Sequence, residues 1–136
     1  MKTDKVRFLI ASVISFTFSM LYNGIVHLII LSTVNKQVES LRRVDFSSKA
    51  WISILATLTT SFIFTTIYSI FVSEKNSKKG LLFGFCFGLL IVILVDINQY
   101  VLYSLPFSLV ASWAMFGIIE FSIIGMIVGY IVKDET

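Results

Sequence analysis

Residues 80–104 read GLLFGFCFGLLIVILVDINQYVLYS and carry a single formal charge, Asp96. A helix rises 1.5 Å per residue, so a run of this length reaches about 37 Å, more than the hydrocarbon core of about 30 Å needs. The apolar residues are continuous rather than alternating, which is the pattern of a helix and not of a barrel strand. In lipid a helix also satisfies its own backbone donors and acceptors. The stretch therefore predicts a transmembrane helix with three polar side chains, Asp96, Asn98 and Gln99, inside it.

The same pattern continues on both sides. No Asp, Glu, Lys or Arg occurs from Phe8 to Val34 or from Ala50 to Val72, and from Gly80 to Val132 only Asp96 and Glu120 are charged. The 136-residue chain is 57% hydrophobic and 14% charged, with mean hydropathy +0.91. A chain this short cannot enclose such helices in a soluble core. The expected fold is all-α: a polytopic membrane protein with four transmembrane helices in an antiparallel bundle. Residues 1–136 then form a single transmembrane domain, with helices at about 8–34, 50–72, 80–104 and 107–132. Lys2, Lys5 and Arg7 resemble the start of a signal peptide, but the 27-residue apolar segment after them is longer than the usual 7–15 or so, and no small-x-small site follows, so cleavage is not expected.

The link 35–49, NKQVESLRRVDFSSK, is the only sizeable loop. Its VESLRRVDF segment can form a short interfacial amphipathic helix with Val38, Leu41, Val44 and Phe46 toward lipid. Ser47 reads as an N-cap of the second helix. SEKNSKK is a charged turn, and Pro106 ends the third helix and opens the fourth.

The net charge of +3 and pI near 9.1 do not indicate nucleic acid, because the basic residues flank the apolar spans. Seven Lys and Arg fall on the side of the termini and the second loop, against four on the other side. This excess predicts cytoplasmic N- and C-termini in the cell inner (plasma) membrane. The lone Cys86 allows no intrachain disulfide and reads as a small core residue.

Gly80, Gly84 and Gly88 form one stripe on the third helix. Gly125 and Gly129, with Gly117 further back, form another on the fourth. Small residues at this spacing let helices approach closely, so the stripes predict a tight hairpin or, alternatively, a homodimer contact. Thr57, Thr59, Thr60, Ser61, Thr65 and Thr66 crowd the second helix. Their hydroxyls can bond to their own i−4 carbonyls or line a cavity.

Counting helical rise from the centre of each span places Glu120 near the bilayer midplane. Asn23 lies about 3 Å outward of it, Asp96 about 5 Å, His27 about 9 Å and Gln99 about 10 Å. Asn23 and His27 are four apart and Asp96 and Gln99 three apart, so each pair shares a helix face. Asn98 points elsewhere. Intramembrane carboxylates must face protein or water. We therefore expect a cluster of Asn23, His27, Asp96, Gln99 and Glu120, with His27 paired to Asp96 and Glu120 to Asn23 or a second-helix hydroxyl. Such a cluster either fixes helix register or receives a proton, ion or small polar ligand. Among the aromatic residues, Tyr22, Trp51, Tyr68, Tyr103 and Trp113 are candidate interface anchors or site residues, and Trp113 shares a face with Glu120.

One histidine and two carboxylates on three helices match no metal-ligand spacing. No C-x-x-C-H, H-E-x-x-H, P-loop or G-x-S-x-G occurs, so no catalytic residue, metal or cofactor is expected. The layout resembles the small, uncharacterised bacterial four-helix membrane proteins. The features that carry this are Tyr22-Asn23-Gly24-Ile25-Val26-His27, Leu41-Arg42-Arg43, the Gly80/Gly84/Gly88 repeat, and a fourth helix with a midspan acid and late glycines. The resemblance implies the fold and no mechanism. The leading functional expectation is non-enzymatic: an accessory or structural subunit that binds another membrane protein or itself within the lipid bilayer. The alternative is a small oligomeric transporter or channel in which Asp96, Glu120 and His27 couple to protons or ions.

Overall fold

The computed structural model describes residues 4–133; Lys2, one of the basic residues used for orientation, lies outside them. Four helices are long and apolar enough to cross a membrane: α1 (Lys5–Ile30), α2 (Phe46–Phe71), α3 (Ser77–Leu102) and α4 (Phe107–Ile131). There is no strand among the described residues. Asp4 caps α1 by accepting the Val6 N–H at 3.0 Å, and Asn76 caps α3 by accepting the Lys79 N–H at 3.0 Å. Such caps satisfy donors that the first turn leaves without helical partners.

The closest packing joins α3 to α4, and glycine is its cause. A Cβ on Gly80 would collide with the Gly125 carbonyl, one on Gly84 with the Phe121 carbonyl, and one on Gly129 with the Asn76 carbonyl. A Cβ on Gly88 would stand 3.0 Å from the Ile118 Cα. The glycine faces are thus consumed inside the chain, as a hairpin requires, and are not free for a homodimer. Gly117 differs from the expected stripe, since a Cβ there meets nothing within 4 Å.

α4 also packs on α1, and α1 on α2. The buried face of α1 is Ala11, Ser12, Ser15 and Ser19, small side chains that admit close neighbours. The core lies toward the end of the bundle that holds both termini. Ala11, Phe64, Tyr68, Ile124, Val128 and Val132 fill it, with Phe83, Phe87 and Phe121 packed around them. Phe64 meets Phe83 and Phe87 at ring separations of 5.0 and 5.1 Å. At this terminal end Arg7 donates to the Lys133 carbonyl at 3.3 Å and the Tyr68 hydroxyl to the Asn76 carbonyl at 3.0 Å.

The opposite end is looser. Of residues 46–56 at the start of α2, only Ala50 is even partly buried, so this part of the helix has few neighbours within the chain. α2 begins four residues before the expected Ala50, and Asp45 precedes its first turn. Ser47 is therefore not the N-cap. Its neighbour Ser48 instead donates to the Asp45 carbonyl at 2.8 Å. The expected amphipathic segment is a 3-10 turn over Lys36–Leu41, earlier and tighter than VESLRRVDF, and Val44 beyond it is fully exposed. Cys86 is exposed on the outward face of α3 rather than in the core, because the glycine stripe takes the inward face.

Candidate functional site

Two of the long helices change pitch near the far end. α1 passes from α-helix into a π-helical turn at Val26–Ile30, and α3 does the same at Val92–Asp96. His27 sits in the first and Asp96 in the second. A π-turn shifts the hydrogen-bond ladder by one residue, and single turns of this kind recur at functional sites. In each case a side-chain amide serves a local carbonyl. Asn35 Nδ2 donates to the His27 carbonyl at 3.0 Å, and Asn98 Nδ2 to the Leu94 carbonyl at 2.8 Å. This explains Asn98, which the sequence left pointing nowhere in particular.

Glu120 and Asn23 meet, but with Asn23 as the donor rather than Glu120. Glu120 on α4 is 8% exposed, and Asn23 Nδ2 donates to its Oε1 at 2.9 Å while also donating to the Ser19 carbonyl at 3.0 Å. The Ser19 hydroxyl is a further partner of the carboxyl group. Tyr22, one turn from Ser19, donates to the Phe116 carbonyl at 3.0 Å. Beside Glu120 lies a cavity of about 210 Å³ between α1, α2 and α4, with Thr57, Thr60 and Ser61 of α2 in its lining. Thr57, Thr59, Ser61, Thr65 and Thr66 each bond an i−4 carbonyl of α2, so both readings of that hydroxyl-rich helix hold at once. Thr60 makes no such bond and faces the cavity. Toward the terminal end the cavity meets Phe64, Phe121 and Ile124, the upper layer of the aromatic core.

His27 and Asp96 do not pair. α1 packs against α2 and α4, not along α3, so the two π-turns stand on helices that are not neighbours. Asp96 is half-buried and has no hydrogen bond or ion pair among the described residues. His27 instead faces Asn35, whose Nδ2 is 3.5 Å from its Nδ1. Asn35 Oδ1 accepts the Trp113 indole N–H at 3.2 Å. That donor and the His27 carbonyl together fix which way the Asn35 amide points, since an indole N–H only donates and a carbonyl only accepts. His27 Nδ1 therefore faces the NH₂ group of Asn35 rather than its oxygen.

His27, Asn35, Gln99 and Trp113 line a second, larger cavity at the far end, of about 700 Å³. Lys36, Glu39 and Arg42 from the 3-10 turn and its exit stand at its rim. Glu39 and Arg42 approach to 3.9 Å. Just beyond, Arg43 grips Asp45 through two contacts of 2.9 and 3.2 Å, with Lys49 at 3.6 Å. The Arg43 guanidinium holds the exposed Asp45 carboxyl below its ordinary range.

The expected five-residue cluster thus resolves into two places. Asn23 and Glu120 form the midspan pocket, His27 and Gln99 the far-end cavity, and Asp96 belongs to neither. Asn35, Ser19 and Lys36 are site residues that the sequence did not single out. Asn35 follows His27 by eight positions, about 12 Å along an unbroken helix. Only the π-turn and the break at Leu31 (φ −94°, ψ 11°) fold it back within hydrogen-bond reach. No three of the His, Cys, Asp and Glu side chains among the described residues lie close enough to hold a metal ion. No protein family, curated protein or solved structure matches this chain.

Proposed function

We propose that this chain is a multi-pass membrane protein with an antiparallel four-helix bundle, and that it takes a proton or small monovalent cation from its far side to Glu120. It would act as a small transporter or channel, or as the ion-handling subunit of one. The observation that carries this reading is the cavity beside Glu120, whose lining brings Ser19, Asn23, Thr57, Thr60 and Ser61 together with the carboxyl group and ends on the aromatic core. A carboxyl group kept at the middle of a membrane is expensive and is characteristically found on proton or ion pathways. A dry carboxyl group that only fixed helix register would need no space beside it. Of the three residues first considered for coupling, Glu120 keeps the role. His27 belongs to the far-end cavity, and Asp96 faces neither cavity. The excess of Lys and Arg beside the termini supports an inner-membrane orientation with both termini in the cytoplasm, which puts the far end of the bundle outside.

Reconstituted vesicles with an imposed pH or Na⁺ gradient test the proposal. Glu120→Gln is expected to abolish gradient-driven ion uptake, whereas Asp96→Asn leaves it intact. Uptake unchanged by Glu120→Gln would remove the residue from the pathway. Single cysteines at Ser40 and Lys78, in a Cys86→Ser background, test orientation by labelling with a membrane-impermeant reagent from opposite sides.

A second reading, an accessory subunit of a larger membrane complex, is favoured by one observation. The first half of α2 presents Trp51, Ile52, Ile54 and Leu55, all about half exposed or more, to nothing within the chain. Gentle purification from native membranes with mass spectrometry of the co-purifying proteins tests it, and recovery of an isolated monomer would count against it.

A further inference from the structure

The far-end cavity has a chemistry of its own, distinct from the Glu120 pocket and not dependent on it. Its polar wall is rich in donors. His27 keeps its Nδ1 toward Asn35, so Nε2 is the ring nitrogen left to meet a ligand. The Gln99 amide lines the cavity without a hydrogen bond to the protein. At the rim, Arg42 and Glu39 offset one another, and Lys36 has no acidic partner among the described residues, so the rim carries a net positive charge. The opposite wall is apolar, formed by Leu28, Val38, Leu41, Phe46 and Leu105. The Asn35 bridge holds the Trp113 indole against one side. A volume of about 700 Å³ lies within the range of small-molecule sites. By helical rise from Glu120, the cavity begins about 10 Å from the midplane and runs to the surface, the depth at which a lipid headgroup meets its chains.

We propose that this cavity binds the phosphate-bearing headgroup of an anionic amphipathic molecule, a membrane phospholipid. Lys36, Arg42, His27 and Gln99 take the headgroup, and the apolar wall takes the first part of the acyl chains. A cation has no matching ligand set there, because Glu39 is the only carboxylate on the lining and is already beside Arg42. A wholly apolar molecule would leave the Lys36 ammonium and the Gln99 amide facing hydrocarbon, which costs more than it gains.

The chain itself supplies the reporter. Trp51 and Trp113 are its two tryptophans, so Trp51→Phe leaves Trp113 alone at the cavity wall. The full chain in a neutral detergent is titrated with phosphatidylglycerol, with phosphatidylcholine of the same chains, and with inorganic phosphate. Trp113 emission is expected to change saturably with phosphatidylglycerol at roughly tenfold lower concentration than with phosphatidylcholine. Both lipids carry the phosphate, so the difference reads the repulsion between the basic rim and the choline cation, about 1.4 kcal/mol for a tenfold change. Phosphatidylglycerol brominated near the headgroup end of its chains is expected to quench Trp113. Lys36→Gln with Arg42→Gln removes the preference, while Lys78→Gln, at the opposite end of the molecule, keeps it. Both altered rim residues are exposed, and far-UV circular dichroism confirms that the variants stay helical. Equal response to both lipids, no response to either, or an undiminished preference in the rim variant would overturn the proposal. So would inorganic phosphate alone reproducing the change, since that would make the site one for a free anion.

Discussion

Gly80 and Gly125 stand backbone to backbone: a methyl group on either would run into the carbonyl oxygen of the other. The contact leaves no flexible side chain to move aside, so the strain must be relieved by separating α3 from α4. Gly80→Ala and Gly125→Ala are each expected to destabilise the protein by about 1–3 kcal/mol, the usual cost of overpacking. Gly24→Ala is the control. Its Cβ would meet nothing within 4 Å, and alanine favours a helix over glycine by up to about 1 kcal/mol, so this variant should match or exceed the wild type. Thermal unfolding in detergent micelles, followed by circular dichroism, orders the three.

Asn23 and Glu120 are a pair rather than two independent polar residues. Asn23→Ala removes the donor, Glu120→Ala removes the acceptor, and the double variant should cost less than the sum of the two. A coupling of about 0.5–3 kcal/mol is expected from a thermodynamic cycle over the four proteins. Glu120→Gln keeps an acceptor oxygen toward Asn23 and should retain most of the stability, which makes it a fair variant for transport measurements. Asp96→Asn should change stability by no more than about 0.5 kcal/mol, since Asp96 has no partner to lose.

These two relationships differ in how far the chain announced them. The glycine contact is readable in part: spacing by four on two adjoining helices marks the close-packing faces, and the structure decides for the hairpin over the homodimer contact. The Asn23–Glu120 pair is readable because helical rise alone puts both near the same depth. The His27–Asp96 pairing failed on a different quantity, the order of helices around the bundle. Depth and face place a residue on its own helix, but neither says which helix is the neighbour. Asn35 was illegible for a local reason. Its contacts depend on a π-turn and a break at Leu31, and neither leaves a mark in the apolar pattern of residues 26–34. Cys86 shows the limit of composition. In a membrane helix an apolar neighbourhood is as common on the lipid-facing side as in the core, so hydrophobic surroundings do not report burial.

Asn35 joins three chain segments through one amide, and its removal should be felt at each. Asn35→Leu leaves the Trp113 indole N–H and the His27 carbonyl without their partners. Each unsatisfied group costs about 1–3 kcal/mol where water does not reach it. The expected outcome is a lower unfolding temperature together with a shifted Trp113 emission in the Trp51→Phe background. Asn35→Asp keeps the acceptor for Trp113 but loses the donor to His27, so it should preserve the emission better than the stability.

The ion pairs that order the start of α2 predict a dependence on pH whose sign follows from Asp45. Its carboxylate receives two contacts from Arg43 and one from Lys49, and the Arg43 guanidinium is the main reason that its pKa lies below the ordinary 3.8. A carboxylate whose folded-state pKa is depressed binds its proton more weakly when folded than when unfolded. Its contribution is therefore complete above the unfolded value and fades as pH falls through the lower folded value. Amide hydrogen exchange of residues 42–49 is the direct measurement. Exchange, corrected for its intrinsic pH dependence, should stay slow from neutral pH down to about 4 and then quicken as Asp45 takes up its proton. Asp45→Asn should show the faster exchange at neutral pH, and the difference from the wild type should close as the wild-type Asp45 takes up its proton.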